Sequence, residues 1–217
     1  MPNETIASLD RLSAELSLLK HPFYQAWTAG TLSADRLRNY AVQYYQHVAA
    51  FPRYLSALHS RCDDLETRQL LLENLIDEER GPGNHPELWL KFAQMLGLSR
   101  DEVLTASPIP ATAALIDTFN GLSRDLPLSA GLAALYVYES QVAEVASAKI
   151  DGLQRFYGVT DDAGVEFFTI HRDTDPYHAK AVAKLIERHQ AGLADDAIPL
   201  QAARTALTAV WDLLDNV

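Results

Sequence analysis

Cysteine is almost absent from this sequence: Cys62 is the only one in 217 residues. A single cysteine excludes a disulfide framework within the chain, and it leaves any metal site to histidine and carboxylate ligands. Long apolar runs are also missing, since no stretch is long enough to cross a bilayer. The amino-terminal segment MPNETIASLDRLSAEL lacks the basic and apolar regions of a signal peptide. We therefore expect a cytoplasmic protein with no membrane partner.

Basic residues are few and are not clustered. The chain has 18 Lys and Arg against 29 Asp and Glu, which gives a formal net charge of −11. Phosphate binding needs grouped Lys and Arg, so we expect no nucleic-acid partner. A metal site would neutralise part of the acidity.

Helical periodicity covers almost every segment, and no segment alternates with the period of a strand. The sequence also lacks repeats and low-complexity linkers, so we predict an all-α fold in a single helical domain over residues 1–217. The expected helices cover residues 3 to about 20, 22–30, a long stretch after Ser33 with a kink at Pro52, 64 to 80, a short helix capped by Ser99 and Glu102, 110 to about 126, 129–156, 162–190 with a kink at Pro176, and 200–214.

The motif H-x-x-x-D-x-x-H contains His171, Asp175 and His178. Offsets of four and seven place these side chains on one stripe of a helix, where imidazole nitrogens and a carboxylate oxygen can converge on an ion. Alone this motif is a weak signal, and it supplies only half of a metal site.

Three residues upstream can supply the other half. Glu78 and His85 lie in ENLIDEERGPGNHPELW, and Glu139 lies in the apolar stretch GLAALYVYESQVAEVA, where burying a carboxylate is costly unless it is paired or bound to metal. The Gly81-Pro82-Gly83 turn interrupts the first segment, so His85 must come from the turn or from the opening of the next helix. Three His and three carboxylates suit two first-row metal ions, which we expect roughly 3.5–4 Å apart.

A resemblance to a known family rests on these ligands together with the segments HPFYQAW, YYQHVAAFPRYLSALHSRCDDLE, NLIDEE, ALYVYESQ and AKI. The chain resembles the haem-oxygenase-like dimetal oxidases over nearly its whole length, and most closely the group named for the chlamydial protein associating with death domains. The resemblance implies a helical bundle of the thiaminase-II and PQQ-synthase type. It also implies an Fe/Fe or Mn/Fe centre on the six ligands, dioxygen as co-substrate and an external reductant.

Members of that group are similar in function to a self-sacrificing para-aminobenzoate synthase that serves folate biosynthesis. The resemblance implies that Tyr24 supplies the ring, that Lys149 supplies the nitrogen and that Tyr138 transfers a radical. One position departs from the pattern, because Phe167 stands where the chlamydial member has an aromatic hydroxyl. A redox role is lost there.

Lys149 is hard to reconcile with that role on helical geometry alone. It follows Glu139 by ten residues, which is about 15 Å along an ideal helix and roughly 80° off its stripe. A solvated surface lysine is the ordinary interpretation. For the proposed chemistry, either the helix is bulged or kinked, or Lys149 acts on a mobile substrate.

Other interpretations stay open. An oxygenase acting on an external small molecule would share all six ligands, whereas a PQQ-synthase-like oxidase would not need them. A thiaminase would need a cysteine nucleophile, and Cys62 lacks a matching context. A protein that binds a partner through its acidic surface would not require the ligands either.

Aromatic residues also occur in NYAVQYYQHV and in the last helix. Tyr40, Tyr44, Tyr45 and His47 are expected to pack in the core, with Tyr44 or His47 able to line a cavity. Trp211 and several leucines of the last helix suggest an interface, so we expect a homodimer.

Overall fold

The computed structural model describes residues 4–190 and 197–217, and this part of the chain is helical without strands. Ten α-helices follow one another: α1 (Glu4–Glu15), α2 (Pro22–Thr28), α3 (Ala34–Ser60), α4 (Leu65–Glu79), α5 (His85–Met95), α6 (Arg100–Thr105), α7 (Pro110–Arg124), α8 (Leu128–Phe156), α9 (Asp162–Gln190) and α10 (Ala197–Asn216). The predicted all-α fold is confirmed.

Helix ends follow the local sequence signals. The Ser33 hydroxyl accepts a hydrogen bond from the backbone N–H of Arg36 and begins α3, and Ser99 forms the expected capping box with Glu102. Pro52 and Pro176 lie inside α3 and α9, and both helices continue past them.

The first helix is shorter than predicted. Asn3, its expected cap, lies outside the described residues, and α1 ends at Glu15. A separate 3-10 turn covers Leu18–Lys20, where the backbone N–H of Leu18 donates to the Gln141 side chain at 2.9 Å. This contact with α8 is a tertiary interaction that helical periodicity does not report.

The centre of the bundle is α8, which packs along α9 and α10, while α3 packs against α4, α5 and α7. Helix α2 approaches α8 most closely at Gly152, where a Cβ atom would lie 2.5 Å from the Trp27 ring. The indole N–H of Trp27 donates to the carbonyl oxygen of Lys149 at 3.3 Å. This close approach holds α2, and with it Tyr24, against the Lys149 region of α8.

The apolar residues of α10 do not form the free surface that we expected. Leu207, Leu213 and Leu214 are buried in the core, and the half-buried Trp211 donates its indole N–H to the carbonyl oxygen of Leu16 at 3.0 Å. The leucine spacing therefore reflects packing within the chain. The expected homodimer stays a prediction, but the apolar residues of α10 no longer support it. Within the described ranges, we found no helix with the length and apolar character needed to span a bilayer.

Candidate metal centre

Glu78, His85 and His171 form a compact group in which one potential ligand atom from each lies within 4.8 Å of the others. All three side chains are buried. They come from the end of α4, the start of α5 and the middle of α9. Three of the six predicted ligands therefore have potential ligand atoms within 4.8 Å of one another.

The turn between α4 and α5 places His85. Gly81 adopts a φ of 77°, and the Asn84 side chain caps α5 by accepting from the backbone N–H of Glu87 at 3.0 Å. His85 is the first residue of α5, so the histidine is delivered by the opening of that helix. Its Nδ1 atom lies 2.7 Å from a carboxylate oxygen of Glu78.

His171 is oriented by its own helix. Its Nδ1 atom lies 2.7 Å from the carbonyl oxygen of Phe167, one turn earlier on α9. A hydrogen bond there leaves Nε2 available as a metal ligand, which is how ligating histidines are usually held. The imidazole rings of His171 and His85 lie 4.2 Å apart between centroids. Burial, with the neighbouring His85, lowers the pKa of His171, so its ring is neutral as a metal ligand requires.

Glu139 has one satisfied and one unsatisfied oxygen. The Asn74 amide donates to Oε1 at 2.8 Å, whereas Oε2 is buried without a hydrogen-bond partner among the described residues. Burial raises the pKa of Glu139 to about 8, and the nearby Glu78 carboxylate adds to the shift. An orphaned carboxylate oxygen of this kind costs free energy unless a cation meets it.

Asp175 adds a third carboxylate to the same space. Burial and repulsion by Glu139 and Glu78 raise the pKa of Asp175 well above its ordinary value. Three buried carboxylates that repel one another favour bound cations, and the oxygen and nitrogen donors present fit first-row metal ions. This donor set fits a metal cofactor.

His178 is not a member of the compact group of Glu78, His85 and His171, whose potential ligand atoms lie within 4.8 Å of one another. It is buried, and its Nε2 atom lies 3.2 Å from a carboxylate oxygen of Asp77. A carboxylate on one ring nitrogen commonly orients the other nitrogen toward a metal. The role of His178 as the sixth ligand stays a prediction.

A small pocket with a cavity volume of about 20 Å³ opens against these residues. Acidic, imidazole and aromatic side chains line it: His47, Val48, Phe51, Glu78, Tyr138, Glu139, Phe167, His171 and Asp175. Phe167 presents a ring without a hydroxyl, 4.1 Å from the His171 ring between centroids.

Lys149 is buried, so its interpretation as a surface lysine is wrong. Helix α8 is α-helical throughout, and helices α2, α3, α5 and α9 close around this side chain. Its Nζ atom lies 5.1 to 5.8 Å from the centres of five aromatic rings: Tyr24, Tyr40, Tyr44, Trp89 and Phe168. We call these five rings the aromatic cage. Lys149 is thus remote from Glu139 along α8 but directly beside Tyr24.

Four tyrosines connect the pocket with the cage. The hydroxyl oxygens of Tyr138 and Tyr44 lie 2.6 Å apart, and those of Tyr40 and Tyr24 lie 3.3 Å apart. The rings of Tyr44 and Tyr40 are 4.9 Å apart between centroids. Lys149 donates to the Tyr40 hydroxyl at 2.7 Å. We call Tyr138, Tyr44, Tyr40 and Tyr24 the tyrosine chain.

Core packing was expected for the aromatic stretch of α3, and Tyr40, Tyr44, Tyr45 and His47 are all buried. The stretch also contributes more than packing, since His47 lines the pocket and two of its hydroxyls belong to the tyrosine chain. Burial raises the pKa of Tyr44 to about 12 and also raises the pKa of Tyr24, Tyr40 and Tyr138, so all four phenols keep their protons near neutral pH.

Two residues that contact proposed metal ligands were not predicted from the sequence. Asn74 supports Glu139, and Asp77 supports His178. A signal for Asn74 existed, because it precedes Glu78 by four residues and therefore shares its helical stripe within an otherwise leucine-rich segment.

Comparisons with known proteins agree with this architecture. The family of iron-containing redox enzymes matches residues 38–211. The chain is 42% identical to the 4-aminobenzoate synthase of Nitrosomonas europaea, over 96% of this chain and 89% of that protein. It is also 42% identical to the 4-aminobenzoate synthase of Chlamydia trachomatis, over 96% and 89% of the two chains. A TenA homologue from Pseudomonas syringae superposes with a TM-score of 0.80 at 18% identity, covering 98% of this chain and 90% of that one. The chain therefore belongs to the haem-oxygenase-like family of iron-containing redox enzymes, in the group that includes the 4-aminobenzoate synthases.

Proposed function

We propose that this oxidoreductase makes para-aminobenzoate for folate biosynthesis from its own Tyr24, with nitrogen from Lys149. The observation that carries the proposal is the position of Lys149, whose Nζ atom lies 5.3 Å from the centre of the Tyr24 ring inside the aromatic cage. The relatives named 4-aminobenzoate synthase support the same product.

The product defines what the chemistry must do. Para-aminobenzoate has a carboxyl group where tyrosine has its Cβ atom, and an amine where tyrosine has its hydroxyl. Making it from Tyr24 requires breaking the Cα–Cβ bond, oxidising Cβ and replacing the phenol oxygen by nitrogen. These changes need a strong oxidant, together with an amine close to the ring.

Lys149 is suited to supply that amine. Burial lowers its pKa from 10.5 to about 7, so a large fraction of the amine is unprotonated near neutral pH. Only the unprotonated nitrogen has the lone pair that forms a bond to carbon. The Tyr40 hydroxyl accepts a hydrogen bond from this nitrogen at 2.7 Å and so holds it inside the aromatic cage.

The metal ligands would be Glu78, His85, Glu139, His171, Asp175 and His178. Their oxygen and nitrogen donors fit an Fe/Fe or Mn/Fe pair. When bound, such a centre activates dioxygen with electrons from an external reductant. Asn74, Asp77 and the carbonyl oxygen of Phe167 hold three of these ligands in place.

The tyrosine chain gives Tyr24 a path to the pocket. Tyr138 lines the pocket and precedes the ligand Glu139, and its hydroxyl is hydrogen-bonded to that of Tyr44. An electron removed from Tyr24 can pass along Tyr40, Tyr44 and Tyr138, because neighbouring members touch through hydroxyls or rings. Tyr138 thereby keeps the radical-transfer role that the family resemblance implies.

An experiment with intact protein tests the proposal. The metal-loaded, reduced enzyme is exposed to dioxygen, and its mass and the released product are measured by mass spectrometry. We expect a lower protein mass and para-aminobenzoate in the medium. The variants Tyr24→Phe, Lys149→Arg and Lys149→Met should release none while binding metal normally, since neither residue is a ligand. Release of para-aminobenzoate by Tyr24→Phe would contradict the proposal.

A second candidate function is an oxygenase for an external small molecule, which would use the same six ligands. Such an enzyme would keep its mass during turnover, so the same experiment separates the two functions.

Assembly and location belong to the same proposal. We propose a cytoplasmic homodimer. Leu65, Leu72 and Ile76 support the dimer, because they share one stripe of α4 and expose 66%, 41% and 37% of their surface.

A further inference from the structure

His47 is a buried polar residue that the proposed chemistry does not use. It lies in the middle of α3 and exposes 0% of its surface. Neither Nδ1 nor Nε2 has a hydrogen-bond partner among the residues that the structure describes. Burying an imidazole with both nitrogens unpaired costs free energy, and such groups usually meet a ligand or an ordered water.

The surroundings of His47 are aromatic on most sides. The rings of Tyr44, Tyr54, Phe119 and Tyr138 lie 5.2 to 5.7 Å from the His47 ring between centroids. The hydroxyls of Tyr44 and Tyr138 are already hydrogen-bonded to each other. Aromatic faces offer the imidazole little hydrogen bonding, and His47 also lines the pocket.

The same pocket is also lined by the proposed ligands Glu78, Glu139 and His171. His47 is not a member of the compact ligand group. Burial lowers the pKa of His47 to about 3, so the ring stays neutral and has one N–H donor and one acceptor nitrogen. A neutral donor that shares a small cavity with this group of side chains can hydrogen-bond a small molecule without adding charge.

We propose that His47 binds a dioxygen-sized ligand in this pocket, by donating a hydrogen bond to it beside the proposed metal ligands. The inference rests on the proposed function, since it assigns a residue to the dioxygen that this function consumes. The other partner available to His47 is an ordered water shared with Tyr54, whose hydroxyl is also buried without a partner among the described residues.

Azide is a suitable probe because it is small, linear and a hydrogen-bond acceptor. The oxidised, metal-loaded protein is titrated with sodium azide, and the dissociation constant is read from the optical band of bound azide. We expect His47→Phe to weaken azide binding roughly three- to tenfold, the range of one net hydrogen bond. His47→Gln, which keeps an N–H donor, should recover most of the affinity. Tyr54→Phe, the matched control, should leave it unchanged, and metal content should be equal in all four proteins.

Two results of the azide titration would overturn the inference. One is an unchanged azide affinity in His47→Phe, and the other is an equal loss in Tyr54→Phe, which would indicate a structural water between the two side chains. Infrared spectra of wild-type protein give a reading that does not depend on the folding of a variant. The azide stretch should shift between H₂O and D₂O in the wild type and in His47→Gln, and the absence of a shift in the wild type would also overturn the inference.

Azide affinity is measured without turnover. The inference about His47 can therefore fail while para-aminobenzoate is still made from Tyr24. It can also hold when the product has another source.

Discussion

The side-chain nitrogen of Lys149 lies 5.3 Å from the centre of the Tyr24 ring, although α2 and α8 are far apart in the chain. The contact between Gly152 and Trp27 brings the two helices together, and the aromatic cage excludes water around the amine. Burying an amine away from water is costly for folding. This cost leads to a prediction about stability that does not depend on catalysis.

Replacing Lys149 by Met should stabilise the protein. The folded pKa of Lys149, about 7, lies below the value of 10.5 for an exposed lysine, so the unfolded chain binds the proton more tightly. Near pH 6.5 we expect Lys149→Met to raise the free energy of unfolding by about 1–3 kcal/mol, which thermal or urea unfolding measures. The exposed Lys184→Met is the control and should change little.

The pH dependence has a definite sign. The penalty from Lys149 is complete below the folded pKa and disappears as the pH rises toward the unfolded pKa. The stabilising effect of Lys149→Met should therefore be smaller near pH 9.5 than near pH 6.5. An effect that grows with pH would show that the amine is not buried as described.

Tyr44→Phe should interrupt the tyrosine chain. The substitution keeps the ring but removes the hydroxyl that lies 2.6 Å from that of Tyr138. We expect the rate of para-aminobenzoate formation to fall about tenfold or more, equivalent to at least about 1.4 kcal/mol of activation free energy, with metal content unchanged. Tyr45→Phe, at the next position of α3, is the matched control. Equal rates from the two variants would exclude a role for the Tyr44 hydroxyl.

Asn74→Ala should weaken metal binding. Its amide is the hydrogen-bond donor that holds Glu139, and loss of such a supporting contact commonly costs 10–100-fold in affinity. Competition with a chelator measures the change. Asn120→Ala serves as a control, because Asn120 lies on α7 and does not line the pocket. An unchanged affinity in Asn74→Ala would mean that Glu139 does not need this contact.

A light-scattering measurement tests the predicted homodimer. We expect a mass near twice the 24.0 kDa of one chain. If the exposed stripe of α4 forms the interface, Leu65→Lys with Leu72→Lys should shift the protein toward the monomer. A mass of one chain for the wild type across a wide concentration range would contradict the prediction.

Sequence analysis was most successful where the signal is local. Capping residues such as Ser33 and Ser99 fix helix starts within a few positions. The glycine turn before His85 left two sources for this histidine, the turn or the opening of the next helix, and the structure places it at the opening of α5. The apolar stretch of α8 also indicated that Glu139 is buried, and it is. Its role as a metal ligand stays a prediction, motivated by the cost of burying a carboxylate without a counter-charge.

Lys149 shows why tertiary contacts could not be predicted from the sequence. Its offset from Glu139 along α8 was correctly calculated, yet the residue meets its partners through helices α2, α3, α5 and α9. No periodicity within α8 carries that information. The same holds for Trp211 on α10. The apolar stripe of that helix has the same sequence pattern whether it packs against another chain or against α1 and α8.

Isotope labelling of tyrosine tests the central claim most directly. The protein is produced with tyrosine carrying heavy carbon in its ring, loaded with metal, reduced and exposed to dioxygen in unlabelled buffer. We predict that the released para-aminobenzoate carries the heavy ring and that the Tyr24→Phe protein, labelled in the same way, releases none. An unlabelled product would contradict self-sacrifice and would assign the enzyme an external substrate.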